Sequence, residues 1–277
     1  MFNGCTSLTA APALPATNLA SNCYERMFNG CSSLATPPEL PATALSNNCY
    51  QSMFNGCTAL TTAPALPATT LAYYCYKYMF RNCTSLTTAQ SVLPATILYD
   101  NCYEGMFQDC TSLTSAPTLQ ATTLANNCYA GMFKMCTNLV EAPALPATAL
   151  ADQCYKYMFN GCTSLTKAPK LPATTMTVSC YLELFKDCTS LTEAPELPAT
   201  KLEHHCYAQM FYGSGLRVAP KLPATTVPYN AYDAMFRNCV NLIKAADLPA
   251  SSIASWSYSG LYLGCTNLVD GPAINAS

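Results

Sequence analysis

Apolar and polar positions along this chain recur in one block that repeats every 26 residues. An apolar-aromatic pair, most often Met-Phe, comes first. A small or amide residue, the string Cys-Thr-Ser-Leu and a Leu-Pro-Ala-Thr turn follow. The aromatic member falls at Phe2, Phe28, Phe54, Phe80, Phe107, Phe133, Phe159, Phe185, Phe211, Phe236 and Tyr262. A fixed period of this size is the signature of stacked repeats and takes precedence over local propensity. Two steps differ by a single residue, an insertion near Ser91 in AQSVLPAT and a deletion near Gly215 in GSGLRVAP. In both cases the next repeat resumes in phase, as a loop edit within a stack would.

The block reads CYxxMFxGCTSLTxAPxLPATTLAxN, and its parts predict elements. Asn22, Asn48, Asn101, Asn127 and Asn230 precede the CY pair, where an asparagine side chain caps a free helix N–H. Glu25 and Glu104 follow three residues after Asn22 and Asn101, close to a capping box. After the MF pair come Gly4, Gly30, Gly56, Asn82, Asp109 and Gly161, residue types that tolerate a left-handed backbone and stop a helix. Met135 breaks that column without a sequence-level reason. The segment LTxAPxLP is too short and proline-rich for a strand of an ordinary sheet, but a strand of about three residues per turn suffices in a solenoid with turns about 4.8 Å apart. Leu8, Leu34, Leu60 and Leu86, with Leu14, Leu40 and Leu66, then point inward, where neighbouring turns bury them. The expected fold is an α/β solenoid of 10–11 turns, with short parallel strands on one side and short helices on the other. One domain over residues 1–277 is expected, and a fragment lacking its polar caps, since Met1-Phe2 begins in mid-repeat and Ser277 stops just after an expected strand.

Composition narrows the function classes. Half the residues are apolar (51%) and only 10% are charged, so core material is ample and Thr, Ser and Asn must coat the surface. A net charge of −2 without a basic block removes the footprint of a nucleic-acid binder. Pro, Thr and Asn interrupt every apolar run well short of the roughly 20 residues that a bilayer helix needs, so no membrane insertion is expected within this chain.

The strings CYxxMFxGCTSL and LPATTL resemble the leucine-rich repeats of BspA-like bacterial surface proteins, whose turn reads approximately LxxIxIPxxVxxIGxxAFxGCxSL over about 23 residues. The likeness is carried by stretches such as Met53 to Leu60 (MFNGCTSL) and by Pro67 of LPAT, and it extends over the whole chain. This turn has one more residue before Pro67, one more between Pro67 and Leu71, and one more between Leu71 and Cys75. The CY cysteine takes the place of the family's buried isoleucine, which implies an inward side chain. The resemblance implies a curved leucine-rich-repeat solenoid on an exported, surface-displayed, adhesin-like protein of a bacterium.

Eighteen cysteines fill two columns, at the CY and GC positions. There are no CxxC pairs and only two histidines, so no metal site is expected. Two states fit the columns. Buried thiols can stack as a reduced ladder. Alternatively, each GC cysteine can join the CY cysteine of the next turn, Cys5 to Cys23 through Cys188 to Cys206, a scheme in which Ser214 and Ala231 are a jointly lost pair.

Function in a solenoid is written in its variable columns. On the strand side, one strip runs Ala10, Thr36, Thr62, Thr88, Ser115, Glu141, Lys167, Glu193, and a second ends Lys170, Glu196, Lys221, Asp247. The alternating signs predict salt bridges between turns that fix the register of the stack. Tyr73, Tyr74, Tyr78, Tyr99 and Tyr157 stand where other repeats carry small or polar residues, and are the candidate ligand-binding side chains. The columns of Thr17, Thr43, Thr69 and Thr96 sit in Pro-Ala-Thr turns too irregular for a flat ice-binding face. His204 and His205 are adjacent at a predicted helix start, no Ser, Cys or carboxylate near them is singled out by breaking the repeat, and no glycine-rich phosphate loop appears. The expectation is therefore a non-enzymatic module without cofactor, binding a protein or glycan on another cell or host surface. The alternative is a structural spacer or assembly subunit.

Overall fold

A computed structural model describes residues 1–274. The chain winds as one continuous stack of turns, each laid on the last with a sequence offset close to the repeat length. Among the described residues only four segments qualify as strands: β1 (Val92–Leu93), β2 (Thr118–Leu119), β3 (Thr226–Val227) and β4 (Ser252–Ile253). β1 pairs with β2 and β3 with β4, all parallel, with Val92 opposite Thr118 and Thr226 opposite Ser252. Elsewhere on this side the turns meet through isolated parallel bridges, such as Ala10 with Thr36, Glu141 with Lys167, or Thr70 with Ile97. Two prolines in most turns remove the donors that longer ladders would need.

The predicted helices are absent among the described residues. In their place runs a ribbon of overlapping turns in which the backbone is left-handed at every fourth residue: Asn22, Arg26 and Gly30 in one turn, Asn48, Ser52 and Gly56 in the next. Its hydrogen bonds alternate. The N–H groups of Asn22, Tyr24, Arg26, Phe28 and Gly30 donate to the next turn, to the carbonyls of Asn47, Cys49, Gln51, Met53 and Asn55. The residues between them donate locally, Glu25 to Asn22, Met27 to Tyr24 and Asn29 to Arg26. Every amide from Asn22 to Gly30 is thereby satisfied without an i to i−4 bond, which is the accounting a buried backbone requires. The asparagines before CY follow from this geometry. Asn22 (φ 60°), Asn48 (58°) and Asn101 (59°) are in the left-handed region that asparagine tolerates, rather than at a helix cap. Glu104 does not close a capping box either; it pairs with Lys77 of the preceding turn at 2.8 Å.

Between ribbon and bridges lies one continuous core from Leu14 to Leu261. Two ring columns run through it. The phenylalanines stack from Phe2 to Tyr262 with centroids 5.4–5.8 Å apart, for example Phe54 on Phe80 at 5.5 Å and 1° between planes. The CY tyrosines form the second column from Tyr24 to Tyr258. Leu34, Leu60, Leu86 and Leu113 are wholly buried, as their column predicts.

All cysteines are free thiols. Those of the GC column tie each turn to the one before it. The Sγ of Cys57 donates to the carbonyl of Phe28 at 3.1 Å, Cys83 to Phe54 at 3.1 Å, and Cys136 to Phe107 at 3.1 Å. The same carbonyl already accepts the N–H of the earlier GC cysteine, as Phe28 does from Cys31. Burial pushes these thiols up, Cys57 to about 12, so they stay protonated donors. Both edits of the repeat are absorbed on the bridge side. The inserted stretch lets Gln90 accept the N–H of Leu66 at 2.7 Å. At the deletion, Gly215 runs so close to the carbonyl of Thr189 that a Cβ would overlap it.

Candidate functional site

The five candidate tyrosines do not form one cluster. Tyr73 and Tyr99 meet edge to face at 5.0 Å, both exposed, beside Ser46, Asn47 and Leu71. Tyr74 lies next to Lys77, whose ammonium is 5.3 Å from its ring centre. Tyr78, whose ring centre is 5.1 Å from the same ammonium, and Tyr157 belong to the ribbon face and bound a cleft of about 300 Å³.

That cleft has a simple origin in the repeat. The middle left-handed column of the ribbon reads Tyr78, Gly105, Gly131, Tyr157 in four successive turns, with φ values of 54°, 57°, 59° and 60°. Two side chains are missing between two rings. Tyr78 leans over Gly105 and fills the first gap, while Gly131 has only the Lys134 Cβ near the space a side chain would take. The opening over Gly131 is lined further by Arg81, Gln108, Asn127 and Lys156.

The site is electropositive. Lys134 and Lys156 place their ammonium groups 5.3 and 4.8 Å from the Tyr157 ring centre, a cation–π arrangement on a half-buried ring. Neither lysine meets a carboxylate. Glu104, by contrast, is committed: it binds Lys77 at 2.8 Å and accepts the Tyr78 hydroxyl at 2.8 Å. Burial and then the Glu104 charge push the Tyr78 phenol up to about 12, so it remains a donor. Arg81 Nε is buried without a hydrogen-bond partner, its nearest carboxylate, Asp109, lying 3.6 Å away. Two ammonium groups without carboxylate partners, that of Lys156 also donating to Gln153 Oε1 at 3.2 Å, a guanidinium with spare donors and two amides can hold a carboxylate and hydroxyls at once. The lysines, Arg81 and the two glycines were not among the predicted site residues. Their signal was present in the column Tyr78-Gly105-Gly131-Tyr157, which becomes visible once the repeat is laid out turn by turn.

The strand-side strips behave differently from expectation. Glu141, Lys167, Glu193, Lys170, Glu196 and Lys221 are exposed and make no ion pair within the molecule. The only pair on this side among the described residues is Lys244 with Asp270 at 3.3 Å, in a later stretch of the first strip. His205 Nε2 lies 3.0 Å from Asn230 Nδ2, and both histidines pack near Tyr229. Among the described residues, no group of three metal-binding side chains occurs and no helix is long and apolar enough to cross a membrane.

Parallel turns of one period, a leucine column behind short bridges and a chain of repeats from end to end define a leucine-rich-repeat solenoid. More narrowly, the chain belongs to the family of the BspA type leucine rich repeat region, whose profile matches over residues 1–113, 69–192 and 103–243. Among solved structures it is similar to a leucine-rich repeat protein from Bacteroides ovatus, with 17% identity, a TM-score of 0.40, and coverage of 96% of this chain and 79% of that one. It is also similar to a leucine rich cell surface protein from Faecalibacterium prausnitzii, with 16% identity, a TM-score of 0.44, and coverage of 94% and 77%. A third likeness is to a leucine-rich repeat protein of T. pallidum, at 16% identity, a TM-score of 0.30, and coverage of 86% and 78%. No curated protein matches the chain.

Proposed function

We propose that this chain is a non-enzymatic binding module displayed on a bacterial surface, and that its ribbon-face cleft holds an acidic glycan of another cell or host. The observation that supports this is the two-turn gap between Tyr78 and Tyr157, edged by Lys134 and Lys156 without carboxylate partners. Aromatic rings offer apolar faces to a sugar, and the ammonium groups select a carboxylated one. Membership of the BspA-type family supports a binding role in general terms, and with it a surface setting.

A glycan and matrix-protein array tests the reading. Retention of carboxylated glycans by the parent, lost in Tyr157→Ala and in Lys134→Ala/Lys156→Ala but kept in Tyr99→Ala, is the expected result. Retention of nothing across the panel would leave the spacer reading, which the uninterrupted ring columns favour.

A further inference from the structure

The unpaired charges of the strand face carry a second reading, independent of the ribbon-face cleft. Along these two strips, taken turn by turn, the exposed charges form bands; Lys201, on a neighbouring bridge column, and Arg217, next to the first strip, lie outside them. The turn of Glu141 is negative, the next carries Lys167 and Lys170, the next Glu193 and Glu196, and the next Lys221. The turn of Ser115 and Thr118, before Glu141, is neutral, and the turn of Lys244 and Asp247, after Lys221, has no net charge. This order is antisymmetric about the boundary between the Lys167 and Glu193 turns. Reversing it end for end changes every sign.

A pattern with that property is complementary to itself under a two-fold axis, the operation that generates isologous dimers. We propose that this half of the strand face pairs two copies of the chain face to face with antiparallel axes. The two-fold axis then runs along the strand direction between the Lys167 and Glu193 turns. This operation sets each strip opposite the same strip of its partner. Lys167 meets the second copy's Glu193 and Lys170 its Glu196, and both contacts occur twice. Glu141 and Lys221 fall in opposed turns one step further out.

Three features of the surface fit this occupant. The charges are free, because none of the six is engaged within its own molecule. Successive turns keep one orientation here, since the core phenylalanine rings stay near parallel from turn to turn, at 4° for Phe133 on Phe159, 4° for Phe159 on Phe185 and 14° for Phe185 on Phe211. The floor between the strips is made of small and rigid residues, Ala142, Ala168, Pro169 and Pro195, so the long charged side chains stand above it and reach a partner first. Register is also specified against error. Moving the axis onto the Lys167 turn would face lysines with lysines and Glu141 with glutamates, and moving it onto the Glu193 turn would face glutamates with glutamates.

Six turns at about 4.8 Å each span about 29 Å, which places the contact at the small end of specific interfaces, below about 1,200 Å² in total. A weak, salt-sensitive dimer is expected. Sedimentation velocity on the whole chain between about 10 μM and 1 mM covers the range in which a contact of this size associates. The parent should dimerise with rising concentration at low salt and dissociate at high salt. Lys167→Glu/Lys170→Glu should weaken association roughly a hundredfold, and so should Glu193→Lys/Glu196→Lys, because four exposed ion pairs become four repulsions. The variant carrying all four exchanges has the parent's net charge and should dimerise within about threefold of it, since the pattern is again self-complementary. Circular dichroism melts of each variant separate loss of association from loss of fold. A parent that stays monomeric over the whole range at low salt would overturn the proposal. So would a fourfold variant that melts like the parent and fails to recover the dimer.

Discussion

Gln209 sits at the centre of a ribbon where a helix was expected, and the two backbones make opposite demands on it. Its φ is 53°, and its N–H donates to the carbonyl of Asp233 in the next turn at 2.8 Å. The side chain accepts the Lys186 ammonium at 3.1 Å, a contact that Gln209→Ala and Gln209→Gly both remove. The difference between the two variants therefore isolates the backbone. A left-handed residue with a Cβ costs about 1–2 kcal/mol relative to glycine, while glycine loses about 0.4–1 kcal/mol through the freedom of the unfolded chain. The glycine variant should be the more stable by about 0.5–1 kcal/mol. In a helix interior the order reverses, with glycine worse by about 1 kcal/mol, so the sign alone decides. Urea titrations followed by far-ultraviolet circular dichroism resolve a difference of this size, and the accompanying shift in Tm is about 2–4 °C per kcal/mol in a chain of this length. If Gln209→Gly proves less stable than Gln209→Ala, the alternating left-handed ribbon is wrong at this position.

Other consequences are open to measurement. Stability should fall in alkali: Cys57 and Cys102 are pushed from 9.0 to about 12 by burial, so the buried thiols contribute fully below pH 9 and lose that contribution as pH rises through 12. A Tm series against pH, with tyrosinate absorbance for the buried tyrosine column, should show unfolding and ionisation together. A thiol-specific reagent should label Cys5 and Cys23 in the native protein and all 18 cysteines after denaturation, and a denatured count of none or two would restore the disulfide scheme. Phe159→Ala removes a wholly buried ring from between Phe133 and Phe185 and should cost about 3–5 kcal/mol in urea unfolding. Cys136→Ala should cost about 1 kcal/mol for its bond to the Phe107 carbonyl, and Cys136→Ser, whose hydroxyl can make the same bond, should recover much of that.

The solenoid was legible because periodicity is a statement about which residues stack, and Phe28, Leu34, Leu60 and Cys49 are buried where their columns placed them. The helix was misread for a physical reason. An apolar pair flanked by Asn and Gly fits a short capped helix and a left-handed ribbon equally well, and the choice is made by the neighbouring turn. Tyr24 and Phe28 can donate to Cys49 and Met53 only because those carbonyls arrive from the next repeat. Met135, which broke its column, lies at φ 60° with its side chain over Gly161, whose missing Cβ leaves the room. The candidate site was half legible. Tyr78 and Tyr157 stood out by size, whereas the gap between them consists of absent side chains at Gly105 and Gly131. The salt bridges expected from sign alternation are absent between Lys167 and its neighbours, although Lys244 and Asp270 form one further along the same strip.

The alternation of ribbon hydrogen bonds also has an electrical outcome. In a parallel sheet, successive N–H groups of a strand point to opposite neighbours and largely cancel. Here Tyr24 donates toward Cys49, and Tyr50, whose amide shares a peptide unit with that carbonyl, donates toward Cys75, then Tyr76 toward Cys102. Peptide units of about 3.5 D each are thus threaded head to tail through the stack in several columns, all oriented alike. The solenoid is polarised along its length, with its positive pole at the high-numbered turns, and two molecules lying antiparallel would set those poles against each other's negative ends.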